Sequence, residues 1–109
     1  MAINPPVDAT QTKAWAELQR EYDQMQSEGV GLKKWFADDP ERVDKLSFDA
    51  GTLHFDLSKN LIKPEMLKLF AELADEVKLK ERTEAMYTGV HINNTEDRAV
   101  LHTALRRPA

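Results

Sequence analysis

The sequence predicts a mostly α chain that carries one small β-hairpin, and three observations lead there. Apolar residues return every three or four positions along 15–25 and again along 66–77, which is the spacing of one helix face. Between those stretches, over 45–58, the apolar period drops to two, and Ala50-Gly51 divides the two alternating runs. The chain has 109 residues, 41% of them hydrophobic and 31% charged, with four Gly and five Pro, a globular composition that fits one compact domain.

Residues 1–7 are aperiodic and hold Asn4, Pro5 and Pro6, so they read as an extended lead-in. Asp8 and Gln11 have the spacing of a capping box, and Trp15, Leu18, Tyr22 and Met25 then line one face of a helix that Gly29 ends. Its polar face carries Glu17, Arg20, Glu21 and Asp23. A short helical piece holds Leu32, Trp35 and Phe36 and stops at Asp38-Asp39, because the ring of Pro40 disfavours helical geometry in the residue before it. Pro40 opens a further turn through Val43.

In the hairpin over 45–58, Leu46 and Phe48 alternate with Ser47 and Asp49, and Leu53, Phe55 and Leu57 alternate with Thr52, His54, Asp56 and Ser58. A glycine at the junction supplies the positive φ of a tight hairpin turn. Two strands alone are marginal in water, so the apolar face must pack on helices or join a larger sheet. Pro64 suits the first turn of the next helix, whose wide stripe comprises Met66, Leu67, Phe70, Leu73, Ala74 and Val77. Leu79, Arg82, Met86 and Tyr87 mark another helix ending at Gly89. A last helix starts at Asn94 or Thr95, with Glu96 and Asp97 in its first turn and Arg106 and Arg107 in its last, each sign matching the helix dipole. Pro108 bars its continuation.

Fifteen Lys and Arg face nineteen Asp and Glu, a net charge of −4, so the chain lacks the cationic excess on which phosphate-backbone binding depends. Nucleic acid is not an expected partner. With no cysteine, disulfides, thiolate zinc sites, iron–sulfur clusters and cysteine nucleophiles are excluded. The first residues have neither a basic region nor an apolar stretch, and no run of about eighteen apolar residues occurs, so the expectation is a cytoplasmic protein that meets no membrane.

Candidate chemistry is sparse. His54, His91 and His102 stand far apart without metal-ligand spacing, so no metal site is expected. Asp56, Ser58 and Lys59 cluster where the second strand ends, a position from which side chains can meet a ligand, although polar strand ends are commonly ordinary surface. Asn93-Asn94-Thr95 has the glycosylation pattern, which carries meaning only in a secreted chain. Arg98, His102 and Arg106 recur every four residues and form one stripe on the last helix, a candidate grip for an anion or an acidic partner, or else a solvated face. On the other side, Val100, Leu101, Ala104 and Leu105 make an apolar band that needs covering. Neither a glycine-rich phosphate loop nor a nucleophile elbow is present, and no catalytic set is specified.

The wording of two segments, HFDLSKNLIKPEMLKLFAELA and EAMYTGVHINNTEDRAVLHTALRRP, resembles the N-terminal region of the phosphoglucose isomerase family. The family pattern of an aspartate, an aromatic and Ser-Lys-Asn falls on Asp56, Leu57, Ser58, Lys59 and Asn60; its Met-aromatic-x-Gly step falls on Met86, Tyr87, Thr88 and Gly89; its long Ile-Asn-x-Thr-Glu-Gly-Arg-Ala-Val-Leu-His-x-Ala-Leu-Arg run falls on Ile92 through Arg106. Leu57 departs from the usual aromatic, and Asp97 stands where the family commonly has glycine. The stretch from Trp35 to Arg42 is similar to the family's aromatic-Asp-Pro-Arg segment, so the likeness runs from about Trp35 onward.

The resemblance implies an enzyme that interconverts glucose 6-phosphate and fructose 6-phosphate without a metal or organic cofactor. In that family a glutamate moves a proton between C2 and C1 through an enediol, and a Ser/Thr-rich loop at a helix N-terminus holds the phosphate. Members are built from two doubly wound parallel sheets, form homodimers and are several times longer than this chain. Their catalytic glutamate, histidine, lysine and phosphate loop all follow later in the sequence. The implied fold class is therefore the N-terminal segment of an α/β enzyme of the sugar-isomerase type, with residues 1–109 a single helical layer to which no catalytic residue carries over. Inactivity of this segment alone and self-association through its uncovered apolar bands are expected.

Overall fold

A computed structural model describes residues 5–108, and within them the chain is mostly helical with one two-stranded antiparallel hairpin. Of the extended lead-in, residues 1–4 lie outside the described residues, and 5–8 carry no regular structure. The first helix starts later than the capping-box spacing implies. Asp8 spends its carboxylate on the backbone and hydroxyl of Thr10, at 2.9 and 2.7 Å, and caps only a 3-10 turn, Ala9–Gln11. Thr12 is the cap of α1, Lys13–Glu28, its hydroxyl accepting the Trp15 N–H at 3.2 Å. Gly29, at φ +85, ends α1 in a conformation open to glycine.

Helix α2 spans Leu32–Asp38 and α3 Arg42–Lys45, on either side of Pro40. Strand β1, Ser47–Ala50, pairs with β2, Leu53–Asp56, in the register Ser47↔Asp56, Phe48↔Phe55, Asp49↔His54 and Ala50↔Leu53. Gly51 opens the two-residue turn at φ +61. Phe48 and Phe55 stack with ring centroids 5.3 Å apart. Helix α4, Met66–Glu76, packs along α1, and α5, Leu79–Tyr87, follows after Lys78, whose left-handed φ of 58° turns the chain.

Among the described residues the buried apolar ones are few: Ala14, Met25, Leu46, Met66 and Ala85. Of the predicted α1 stripe only Met25 is buried, while Trp15 and Tyr22 are exposed. The molecule is a slab of 51 × 35 × 18 Å, and every hairpin strand residue except the half-buried Ser47 is exposed. Among the described residues, no helix is long and apolar enough to cross a membrane.

The helix expected from Asn94 or Thr95 through Arg107 does not form. Residues 93–98 close a turn, with Asn93 and Arg98 exchanging backbone hydrogen bonds at 3.1 and 3.2 Å and Asp97 at φ 50°. Beyond it, among the described residues, only a 3-10 turn, Ala104–Arg106, is regular. The band that would anchor the helix is largely uncovered among the described residues: Val100 is half-buried, but Leu101 is 58% and Leu105 93% exposed. A short amphipathic segment does not hold a helix on propensity alone.

Candidate functional site

Arg42 is a tightly held buried polar group. The short α3 helix turns its side chain inward until only 2% is exposed. There Nε donates to the Ser58 carbonyl at 2.9 Å, and Nη2 donates to the carbonyls of Asn60 and Ile62 at 3.0 and 2.9 Å. The guanidinium lies 5.1 Å from the ring centre of Trp35 and 5.5 Å from that of Phe36, two aromatics from α2 that shield it from water. Buried carbonyls need donors, and a planar fork can serve several at once. Arg42 thus braces the strand-end segment and is not free to hold a ligand.

That segment contains the predicted cluster of Asp56, Ser58 and Lys59. The structure brings Asp56 and Ser58 together: the Asp56 carboxylate accepts the Ser58 N–H at 2.8 Å, and Ser58 is 1% exposed. Lys59 points to solvent. A cavity of about 310 Å³ beside Arg42 is lined by Glu28, Lys34, Trp35, Asp38, Asp39 and Lys63, among others. Its charges pair with one another, Lys34 with Asp38 and Lys63 with Glu28 at 3.4 Å. At its rim Lys45 reaches Asp39 at 2.9 Å, and that hydrogen bond holds the Asp39 carboxyl below the usual carboxylate range.

The Arg98, His102 and Arg106 stripe is broken, since its helix is absent. His102 and Arg106 line a cavity of about 480 Å³ with Met86, Tyr87 and Thr103, whereas Arg98 belongs to the 93–98 turn and lies 4.0 Å from Glu96. The three histidines do not meet: His54 pairs with Asp49 at 2.7 Å and His91 with Asp97 at 3.1 Å. Among the described residues, no group of three or more His, Asp or Glu comes together in a metal-holding arrangement.

Two organising groups escaped the reading of the sequence. Arg42 entered only as the end of the Trp35–Arg42 segment, although two aromatics shortly before an arginine, with Pro40 folding the chain between them, were the available signal. Glu76, which accepts the N–H groups of Lys13 and Ala14, lies more than sixty residues from them, and no local pattern marks it.

The sequence is similar to those of known proteins. A family model described as phosphoglucose isomerase matches residues 56–109, beginning at Asp56. Glucose-6-phosphate isomerase of Bifidobacterium longum (strain NCC 2705) is 82% identical over 108 residues, covering 99% of this chain and 19% of that protein. The isomerase of the same name from Corynebacterium diphtheriae is 50% identical over 99 residues, covering 91% of this chain and 18% of that protein. The Mycobacterium tuberculosis (strain ATCC 25618 / H37Rv) protein of that name is 46% identical over 108 residues, covering 99% of this chain and 19% of that protein. The chain thus spans about a fifth of the length of these relatives.

Proposed function

From a chain that belongs to the phosphoglucose isomerase family, we propose one part, the N-terminal part, of an enzyme that interconverts glucose 6-phosphate and fructose 6-phosphate through an enediol, a step of glycolysis and gluconeogenesis. The observation that carries the reading is 82% identity along 108 residues to a protein of that name, a density of agreement that reaches exposed as well as buried positions.

Within such an enzyme residues 1–109 act as a single helical layer laid against doubly wound parallel sheets supplied by the rest of the polypeptide. They contribute scaffold and no reacting group. The Arg42 brace fits that role, since it spends a buried cation on fixing backbone. The sugar phosphate is the substrate of the longer protein, which needs no cofactor, acts in the cytoplasm as a homodimer, and meets neither nucleic acid nor membrane.

The test is a coupled assay of fructose 6-phosphate formation from glucose 6-phosphate, run on a polypeptide of the relatives' full length that begins with this sequence and on the 109-residue chain. Turnover by the longer protein and none by the shorter is expected. A longer protein that folds but leaves glucose 6-phosphate untouched would overturn the reading.

A further inference from the structure

We propose that the peptide bond between Asp39 and Pro40 is a latent self-cleavage site, and that Lys45 guards it by holding the Asp39 carboxylate away from its own carbonyl carbon while the chain is folded.

The sequence holds a single Asp-Pro step, in the link between α2 and α3. Two features of that dipeptide make it breakable. An aspartate carboxyl reaches the carbonyl carbon of its own residue through a five-membered ring, so nucleophile and target stand at high effective concentration. The amide that follows is tertiary, and its nitrogen departs as a secondary amine. In the step itself, a carboxylate oxygen of Asp39 bonds to the Asp39 carbonyl carbon, and the carbon–nitrogen bond to Pro40 breaks as that nitrogen takes a proton from the acidic solvent. One water then opens the cyclic anhydride and leaves Asp39 with two carboxyl groups. A water is consumed, and nothing is oxidised or reduced.

The fold supplies one part of this chemistry and withholds another. The Arg42 N–H donates to the Asp39 carbonyl oxygen at 3.1 Å, on the atom where negative charge develops during the addition. The carboxylate, however, is engaged elsewhere: Oδ1 accepts the Glu41 N–H at 3.0 Å and Oδ2 accepts Lys45 Nζ at 2.9 Å. Other charges around the same cavity are committed, Lys34 to Asp38, Lys63 to Glu28, and the Arg42 guanidinium to three carbonyls, while Glu65 adds a further negative charge. Lys45 is thus the cation that holds Asp39. The Asp39 side chain is 31% exposed, so water reaches the site once the carboxylate is released.

The nick leaves the molecule assembled. Residues 1–39 carry α1 and α2, and three contacts tie them to the remainder: α1 packs on α4, Glu76 accepts the N–H groups of Lys13 and Ala14, and the Arg42 guanidinium lies against Trp35 and Phe36. The two pieces part only on denaturation.

The test uses a polypeptide of the relatives' full length that begins with this sequence, incubated at about pH 4 with and without urea, its products weighed by mass spectrometry after denaturation. In urea a piece ending at Asp39 and a chain starting at Pro40 are expected, and Asp39→Glu, which enlarges the ring by one atom, is expected to slow their appearance on the order of tenfold. Without urea the wild type is expected to cleave at least about tenfold more slowly than in urea, Lys45→Met and Lys45→Gln to lose most of that protection, and Lys45→Arg to keep it. Circular dichroism on each sample establishes that the chain is folded. Absence of the piece ending at Asp39 from the urea-unfolded chain would overturn the cleavage site. Equal rates for the wild type and a folded Lys45 variant would overturn the guard.

Discussion

Glu76, at the end of α4, seals the start of α1 through Lys13: its Oε2 accepts the Lys13 N–H at 2.9 Å, and Oε1 takes the neighbouring N–H of Ala14 at 3.1 Å. The first N–H groups of a helix have no partner inside it, and a carboxylate there also meets the positive end of the helix dipole. Replacement Glu76→Ala is expected to cost about 2 kcal/mol and Glu76→Gln about 1 kcal/mol, read from urea midpoints. Thr12→Ala, which removes the local cap, is expected to cost a further ~1 kcal/mol, and the double variant should fall short of additivity because both groups serve one helix end. Equal midpoints for wild type and Glu76→Ala would show that the contact contributes nothing.

Arg42 offers a harsher test. Arg42→Met leaves the carbonyls of Ser58, Asn60 and Ile62 without their donor in a site that is 2% exposed, and a loss of about 3 kcal/mol or more is expected. Arg42→Lys keeps the charge but not the planar fork, so it should recover only a minor part. Full recovery by lysine would mean that charge, not geometry, holds the segment.

Stability should fall in acid. Hydrogen bonding from Lys45 keeps the Asp39 carboxyl below its ordinary value, and Glu28 is lowered by Gln24 first and then by Lys63. A carboxyl depressed in the folded state stabilises it above the unfolded value, about 4, and that contribution is lost as pH falls through the lower folded value. Lys45, raised by Asp39, acts with opposite sign: its contribution is complete below the ordinary lysine range and disappears as pH rises through the folded value. Urea midpoints should therefore drop as pH is taken from 6 to below about 4, and Lys45→Met should flatten the drop.

The 109-residue chain is expected to self-associate, because Leu101, Leu105, Phe48 and Leu53 are all exposed on a thin slab. Light scattering should show mass rising with concentration, and Leu101→Asp with Leu105→Asp should shift the chain toward monomer. Concentration-independent monomer mass for the unaltered chain would contradict this.

Legibility in the sequence followed the range of the forces. The hairpin could be read because alternation at Leu46, Phe48, Leu53 and Phe55 and the glycine at 51 act within a few residues of one another. Helix α4 was equally plain, with Pro64 before an uninterrupted stripe. The start of α1 was misplaced because Asp8 and Thr12 are both capping residues, and the choice went to the one whose side chain reaches Trp15. The Arg42 brace joins residues sixteen to twenty apart, and the Glu76 contact spans more than sixty, distances at which no periodicity informs. The helix over 94–107 failed for a different reason: its code is present, but among the described residues the face it offers is left mostly uncovered, with Leu105 93% exposed.

The most direct measurement removes residues 1–109 from a polypeptide of the relatives' length and follows conversion of glucose 6-phosphate. If these residues are an indispensable layer of the catalyst, conversion is abolished by the deletion and returns when the 109-residue chain is supplied separately. Undiminished turnover by the shortened protein would contradict that.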